Sequence, residues 1–568
     1  MHRITVHAGD ADTNATRFEV EAAPGRSLLA ALAASSRVFV PAACGGRGTC
    51  GKCRVRVREA AGAAAPVSTA DERFLSQEDL EDGVRLACTL PADEVRSVEI
   101  PVTSDVAFTK AEIPQIAGAV DPIVRCDAPQ GAPCYGVAVD IGTTTLGCYL
   151  VDLAPTPAAE QGAPAGGTAT GGNAGERVVA AWSAMNRQAV FGADVLSRIS
   201  YADHGGLAEL QRAVVAELNE LLSSPARRGG METAHIAAVA VTGNTTMLHL
   251  LLGVDPHGIG RAPFTPVFTE SRRLTGAELG LADHADAEVR VLPSISAYVG
   301  ADIVAAIVAE DLDTTTASIL LVDVGTNGEL VLAHDGRLHA CSTAAGPAFE
   351  GATIAHGVGG VAGAIASWRW DGSDFAFETI AGAPPIGVCG SGLLDVVARL
   401  LDDGVVDETG RMRAPDEQAD EPAFTLVPGI TVTQGDIREV QLAKAAVAAG
   451  IDVLLDRAGI GPADLDEVVL TGGFGHHLAV ESALRIGLLP EVDAERIRST
   501  PNAAGAGAVR ALLQREALPR MVEAAARTEY IELSGRPEFQ ERYVDHMIFP
   551  ESRSAGRGES QHDGERGS

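Results

Sequence analysis

Two residue patterns in this 568-residue chain could do chemistry. The first is cysteine. Cys44, Cys50, Cys53 and Cys88 follow the spacing C-x5-C-x2-C-x34-C, and Gly45, Gly46, Gly48 and Gly51 fill the loop that holds the first three. Three thiolates on one glycine-rich loop, with a fourth arriving from afar, can grip a [2Fe–2S] cluster; the plant-type arrangement is C-x4-C-x2-C with a distant fourth cysteine. Glycines let backbone N–H groups reach the sulfurs, and those hydrogen bonds tune the potential. Arg47 and Lys52 add positive charge beside an anionic cluster. A zinc ribbon competes with this reading, but it ordinarily needs two C-x-x-C pairs and here there is one.

The second pattern is an aspartate followed by glycine and hydroxyls. The apolar run from Tyr135 ends in Asp140-Ile-Gly-Thr-Thr-Thr145, and the run from Ile319 ends in Asp323-Val-Gly-Thr-Asn-Gly-Glu329. A strand that stops on Asp-x-Gly-Thr and turns back makes a phosphate cradle, because glycine admits backbone N–H groups and hydroxyls add donors. The carboxylate can hold Mg²⁺ through water. Candidate ligands are thus Asp140, Gly142, Thr143, Thr144 and Thr145 in the first turn, and Asp323, Gly325, Thr326 and Asn327 in the second. Downstream of each lies a Thr-Gly strand end, Ile236–Asn244 and Glu467–Gly475. The order Asp-turn, Thr-Gly turn, Asp-turn, Thr-Gly turn is an internal duplication. Two related halves, each giving one phosphate loop, would form a nucleotide cleft. Ordinary strand-to-helix turns are the bland alternative.

Elements must position these residues. Ile4-Thr-Val and Arg17–Glu21 alternate like a hairpin, Ser27 opens a short helix, and Arg54–Arg58 is a strand after the cysteine loop. Residues 1–100 form a first domain. Residues 101–133, rich in proline, read as a tether or a surface-packed linker. Residues 134–318 and 319–550 are the two halves of the core, and 551–568 a disordered tail. Residues 154–176 are a low-complexity loop. Helices are expected at 207–222, 245–252, 393–401 and from Ile437 to Leu455, with a last strand at 468–470. Cys126, Cys134, Cys148, Cys341 and Cys389 have no metal-ligand spacing and read as single buried thiols. Gly390-Ser-Gly392 at a helix start could present Ser391 to a ligand or simply pack tightly. His476 and His477 are surface turn residues.

The net charge of −32 argues against a broad basic face for nucleic acid. Apolar runs stay below spanning length, and Met1–Val6 shows no signal peptide, so a cytoplasmic chain without a membrane partner is expected.

Asp140–Thr145, Asp323–Asn327 and Thr471-Gly-Gly-Phe-Gly475 resemble the first phosphate, second phosphate and adenosine motifs of the actin-like ATPase superfamily. The first hundred residues resemble β-grasp [2Fe–2S] ferredoxins, with the x5 gap nearer adrenodoxin-like spacing. Over nearly its full length the chain resembles the reductive activators of corrinoid-dependent methyltransferases. The likeness is carried by the cysteine run, both Asp turns, Ala345–Gly351, Cys389-Gly-Ser-Gly392 and Gly535–Gln540, without a four-cysteine run after residue 500. The implied fold is multidomain, an N-terminal β-grasp [2Fe–2S] ferredoxin domain plus a duplicated α/β actin-like (RNase H-like) ATPase core. The implied activity is ATP-dependent return of one electron to a Co(II) corrinoid protein, with [2Fe–2S], ATP and Mg²⁺ as cofactors. An upstream reductase or ferredoxin would supply the electron, and a homodimer is allowed. The resemblance puts Gly472, Gly473 and Phe474 at the adenosine. Asp323 is the candidate for orienting water, and Ser391, on an exposed turn, would meet the corrinoid. A small-molecule kinase with a redox-sensing ferredoxin and an ATP-driven scaffold are the alternatives.

Overall fold

A computed structural model gives the fold. It describes residues 2–8, 16–34, 38, 40, 42, 46–48, 51–62, 64–100, 109–110, 116, 120–123, 134–154, 177–228, 235–351, 353–370, 375–413, 422–475 and 477–551. Cys44, Cys50, Cys126 and His476, most of 101–133, the low-complexity stretch from 155 to 176 and the tail from 552 lie outside the described residues.

Alternation places one face of the first hairpin in a core. His2–Ala8 runs antiparallel to Thr16–Ala22, with Ile4 opposite Val20 and Val6 opposite Phe18. Val95–Ile100 pairs parallel with His2–Ala8 and antiparallel with Arg54–Ala60, which pairs in turn with Val84–Leu86. Helix Leu28–Ala34 begins behind Ser27, whose Oγ accepts the Ala30 N–H at 3.3 Å. Its Leu28 and Leu32 are buried with Ile4, Val6, Leu86 and Val98. This mixed sheet with its helix is the β-grasp arrangement.

The described residues between 101 and 133 are packed. Thr109 and Lys110 pair with Ser183 and Trp182, Ile116 is buried, and the Asp121 N–H donates to the Leu513 carbonyl at 2.7 Å. The whole chain divides into two compact units, the first of which contains these residues and the N-terminal sheet: 1–317 with 333–340 and 500–531, and 318–332 with 341–499 and the residues from 532 on.

Each unit carries the same pairing. In the first, Cys134–Ile141 turns back into Thr145–Asp152 and lies parallel to His235–Gly243, with Asp140 opposite Thr242. Val137, Val139 and Ile141 on one face and Ala138 with its partner Tyr149 on the other are buried, as a sheet covered on both faces requires. In the second, Ile319–Val324 lies parallel to Glu467–Thr471, with Asp323 opposite Thr471, and Ile497–Ser499 follows. The repeat read in the sequence is therefore a repeated strand pairing. Helices Leu207–Arg228, Thr245–Leu252, Gly390–Asp402 and Gln434–Ala458 appear where apolar spacing places them.

Residues 500–531 follow the second unit in the chain but pack in the first. Helix Ala503–Leu513 lies against Ala301–Ala309 so closely that a Cβ on Gly507 would stand 2.2 Å from the Ala305 carbonyl oxygen. Arg510 donates to the Val308 carbonyl at 2.7 Å and to Asp311 at 2.9 Å. Cys148, Cys341 and Cys389 are the buried thiols expected, whereas Cys134 is disulfide-bonded, which corrects its reading as a lone thiol. Among the described residues no helix is long and apolar enough to cross a membrane.

Candidate nucleotide and cluster sites

The first Asp turn is a tight loop held from several sides. The Gly142 N–H donates to the Thr145 carbonyl at 2.9 Å, and a Cβ on Gly142 would stand 2.6 Å from that oxygen. Asn186, fully buried, donates its Nδ2 to the Gly142 carbonyl and its backbone N–H to the Thr144 carbonyl, both at 2.8 Å. Arg198, also fully buried, donates to the Thr143 carbonyl at 2.5 Å and to the Gly192 carbonyl at 2.8 Å. Asn244 donates to the Thr143 hydroxyl at 3.0 Å while its Oδ1 caps helix Thr245–Leu252. Thr143 is buried, Thr144 half-buried and Thr145 exposed. Asp140 is half-buried and accepts the Asn502 amide at 2.8 Å. Burial pushes its carboxyl up to about 6, against the pull of that hydrogen bond. An anion beside this loop would meet backbone N–H groups and hydroxyls whose positions are already fixed.

In the second unit the Gly325 N–H donates to the Asn327 carbonyl at 2.9 Å, closing the matching turn. The Thr326 hydroxyl donates to Glu350 at 2.6 Å, so the Ala345–Gly351 turn reaches the second Asp turn. Gly472 has φ +91°, and a Cβ there would stand 2.2 Å from Asp323 Oδ1. Gly472 thus lies against the carboxylate. Gly473 has open space around its Cα. A hard oxygen donor at the end of each Asp strand suits a hydrated Mg²⁺.

In the N-terminal domain Cys53 is buried, Cys88 half-buried, and the Cys53 carbonyl accepts the Ala87 N–H at 2.8 Å, so the two cysteine segments adjoin. Gly46, Gly48 and Gly51 have φ of +78°, +70° and +66°. A Cβ on Gly51 would stand 2.7 Å from Phe74 Cβ, and one on Gly46 would meet Cys88 Cβ at 3.8 Å. The loop is therefore a cradle that only glycines can line at these points, and it fits a thiolate-held cluster. Among the described residues no group of three or more metal ligands is complete; Cys44 and Cys50 lie outside them.

Ser391 corrects an expectation. It is 7% exposed, and its hydroxyl donates to the Ala366 carbonyl at 2.9 Å in the first turn of helix Gly390–Asp402. A Cβ on Gly392 would stand 2.2 Å from the Ile365 oxygen. The glycines serve close helix–strand packing, and that packing buries the hydroxyl expected to face a corrinoid. Nor does Ser391 cap the helix: Cys389 holds the cap position.

Comparison with known proteins agrees with this architecture. Residues 12–93 match the 2Fe-2S iron-sulfur cluster binding domain, 173–326 the RACo middle region, and 317–556 the C-terminal domain of RACo, the ASKHA domain. A corrinoid activation enzyme, RamQ of Eubacterium limosum, is 32% identical over 446 residues, covering 73% of this chain and 70% of the relative. The chain belongs to the family of corrinoid activation enzymes. A second member, the [Co(II) methylated amine-specific corrinoid protein] reductase of Methanosarcina barkeri, is 24% identical over 448 residues, covering 73% of this chain and 77% of that one. The solved structure of a reductive activator for a corrinoid, iron-sulfur protein superposes with TM-score 0.66 at 28% identity, covering 96% of this chain and 98% of that one. In this corrinoid activation enzyme, sequence reasoning missed Asn186, Arg198, Asn244, Asn502 and Glu350. Only Asn244 carried a signal, as a helix cap after a Thr-Gly strand end.

Proposed function

We propose that this chain is an ATP-dependent reductive activator. It accepts one electron from an upstream reductase or ferredoxin and passes it to an inactive Co(II) corrinoid protein, restoring Co(I) for methyl transfer. The observation that carries this reading is the joining, in one chain, of a [2Fe–2S]-binding domain to a repeated pair of Asp–Gly turns. The printed names of its relatives support it.

Cys44, Cys50, Cys53 and Cys88 are the ligands of the cluster, which when bound supplies one electron at a time. Asp140 and Asp323 hold Mg²⁺ through its water. Gly142, Thr143, Thr144 and Thr145 face phosphate from one turn, and Gly325, Thr326 and Asn327 from the other. Gly472, Gly473 and Phe474 lie on the nucleoside side, and Asp323 orients the attacking water. The need for ATP is energetic. Plant-type clusters sit near about −400 mV, and each 59 mV short of the cobalt couple costs about tenfold for one electron. ATP can close that gap only by favouring a state in which cobalt is easier to reduce. The chain acts in the cytoplasm, needs neither nucleic acid nor membrane, and is compatible with a homodimer.

Anaerobic spectroscopy of a Co(II) corrinoid protein with this chain and a reductant tests the reading. Co(I) should grow with Mg·ATP and not without it. Reduction that ignores ATP, or stoichiometric phosphorylation of a small acceptor, would overturn it.

A further inference from the structure

We infer that Asn502 is a positioning residue of the nucleotide site: it sets the orientation of Asp140 and leaves one carboxylate oxygen for the hydrated magnesium of Mg·ATP. The inference rests on the nucleotide reading above. Asn502 Nδ2 donates to Asp140 Oδ2 at 2.8 Å, across 362 residues of chain. Its Oδ1 accepts the Gly505 N–H at 2.7 Å and caps helix Ala503–Leu513. An amide has one acceptor oxygen and one donor nitrogen. With the oxygen committed to the helix, the nitrogen must face the carboxylate, so the donor is not free to flip.

The helix that carries Asn502 is itself held closely. A Cβ on Gly505 would stand 2.4 Å from the Tyr149 ring, and one on Gly507 2.2 Å from the Ala305 oxygen. Gly147, on the strand after the phosphate turn, leaves the room that Asn502 uses, since a Cβ there would stand 3.3 Å from Nδ2. Asp140 therefore has its Oδ2 occupied by a donor that cannot leave without uncapping a packed helix. Oδ1 is the oxygen left to meet a metal's water. A carboxylate so oriented needs no reorganisation when the metal arrives.

Two variants separate positioning from mere stability. Asn502→Asp keeps an equally good cap but replaces the donor with a negative oxygen facing Asp140. Asn502→Ser keeps a cap and falls short of Asp140. Titration calorimetry on the full chain would compare Mg·ATP with ATP in EDTA, alongside melting without nucleotide. The expected result is a loss of tenfold or more in Mg·ATP affinity for Asn502→Asp, a smaller loss for Asn502→Ser, and metal-free ATP affinity unchanged in both. Asn502→Ser should melt close to wild type. Unchanged Mg·ATP affinity in both variants, or equal losses for the two forms of ATP, would overturn the inference. A wild-type chain that binds neither form overturns the nucleotide reading instead, so the two failures are distinct.

Discussion

Gly472 offers a sharp test, because a side chain there would strike the Asp323 carboxylate. In Gly472→Ala the new Cβ would stand 2.2 Å from Asp323 Oδ1 and 3.0 Å from the Val324 carbonyl oxygen, on a residue with φ +91°. The left-handed backbone alone costs an L-residue roughly 1–2 kcal/mol. The carboxylate is the softer obstacle and must retreat by about 1 Å to reach ordinary contact. A displacement of that size at a reacting centre costs roughly 10²-fold in rate. Phosphate release under saturating Mg·ATP should therefore fall about a hundredfold, while the melting temperature drops only by roughly 2–8 °C. Gly359→Ala, away from the nucleotide turns, is the control. Its Cβ would meet nothing within 4 Å and its φ is not left-handed, so stability should hold within about 0.5 kcal/mol and the rate should stay near wild type. Hydrolysis by Gly472→Ala within twofold of wild type, or an equal loss in Gly359→Ala, would refute the placement of Asp323 at the chemistry.

Three further outcomes are expected. Gly51→Ala puts a Cβ 2.7 Å from Phe74 Cβ; iron content after anaerobic purification should fall by half or more, whereas Gly62→Ala, in open space, should keep full loading. Lys444 is buried and donates to the Ile548 carbonyl at 2.7 Å, and burial pulls its pKa from 10.5 to about 8. Between those values the unfolded chain holds the extra proton, so this residue's contribution to stability should rise with pH from about 8 to 10.5, by at most about 3 kcal/mol. A wild-type minus Lys444→Met stability difference that stays flat across that range would contradict it. Arg26 joins the N-terminal domain to helix Leu207–Arg228 through Glu209 at 2.7 Å, and Tyr201 donates to the same carboxylate. Such a part-exposed pair is worth under about 1 kcal/mol, so Arg26→Ala should lower stability in urea titration by no more than that and leave the main melting transition in place.

The chemistry was legible where it is local. A strand, an aspartate, a glycine and hydroxyls occupy consecutive positions at Asp140–Thr145 and at Asp323–Asn327, so period and turn chemistry suffice to find them. The residues that hold those turns were not legible. Asn502 is 362 residues from Asp140, and nothing in Pro501-Asn-Ala-Ala-Gly505 points to that contact. Its oxygen caps a helix while its nitrogen reaches the carboxylate. Arg198 sits in a short helix whose sequence says nothing of the Thr143 carbonyl it reaches. Ser391 shows a different limit. Glycines flanking a hydroxyl allow either exposure or tight packing, and at Gly392 the backbone of Ile365 comes close, so packing is what they serve. The residue type cannot say which, because both uses exploit the same missing Cβ.

The same ambiguity separates the two halves of the repeat. Thr242-Gly243 and Thr471-Gly472 stand at equivalent places, each beside the aspartate of a parallel neighbour. Yet a Cβ on Gly243 would stand 2.6 Å from the Ile141 carbonyl oxygen, whereas one on Gly472 would meet the Asp323 carboxylate. In the first unit the glycine lets two strand ends approach, and Asp140 is oriented by the amide of Asn502. In the second the glycine itself makes room for the carboxylate. A duplicated strand pairing thus presents its two aspartates by different means. One is held through a hydrogen bond that a change of donor can break, the other stands in a space that a single methyl can fill. The two carboxylates should therefore fail differently: Asp140 through loss of metal affinity, Asp323 through loss of rate beyond any loss of metal affinity.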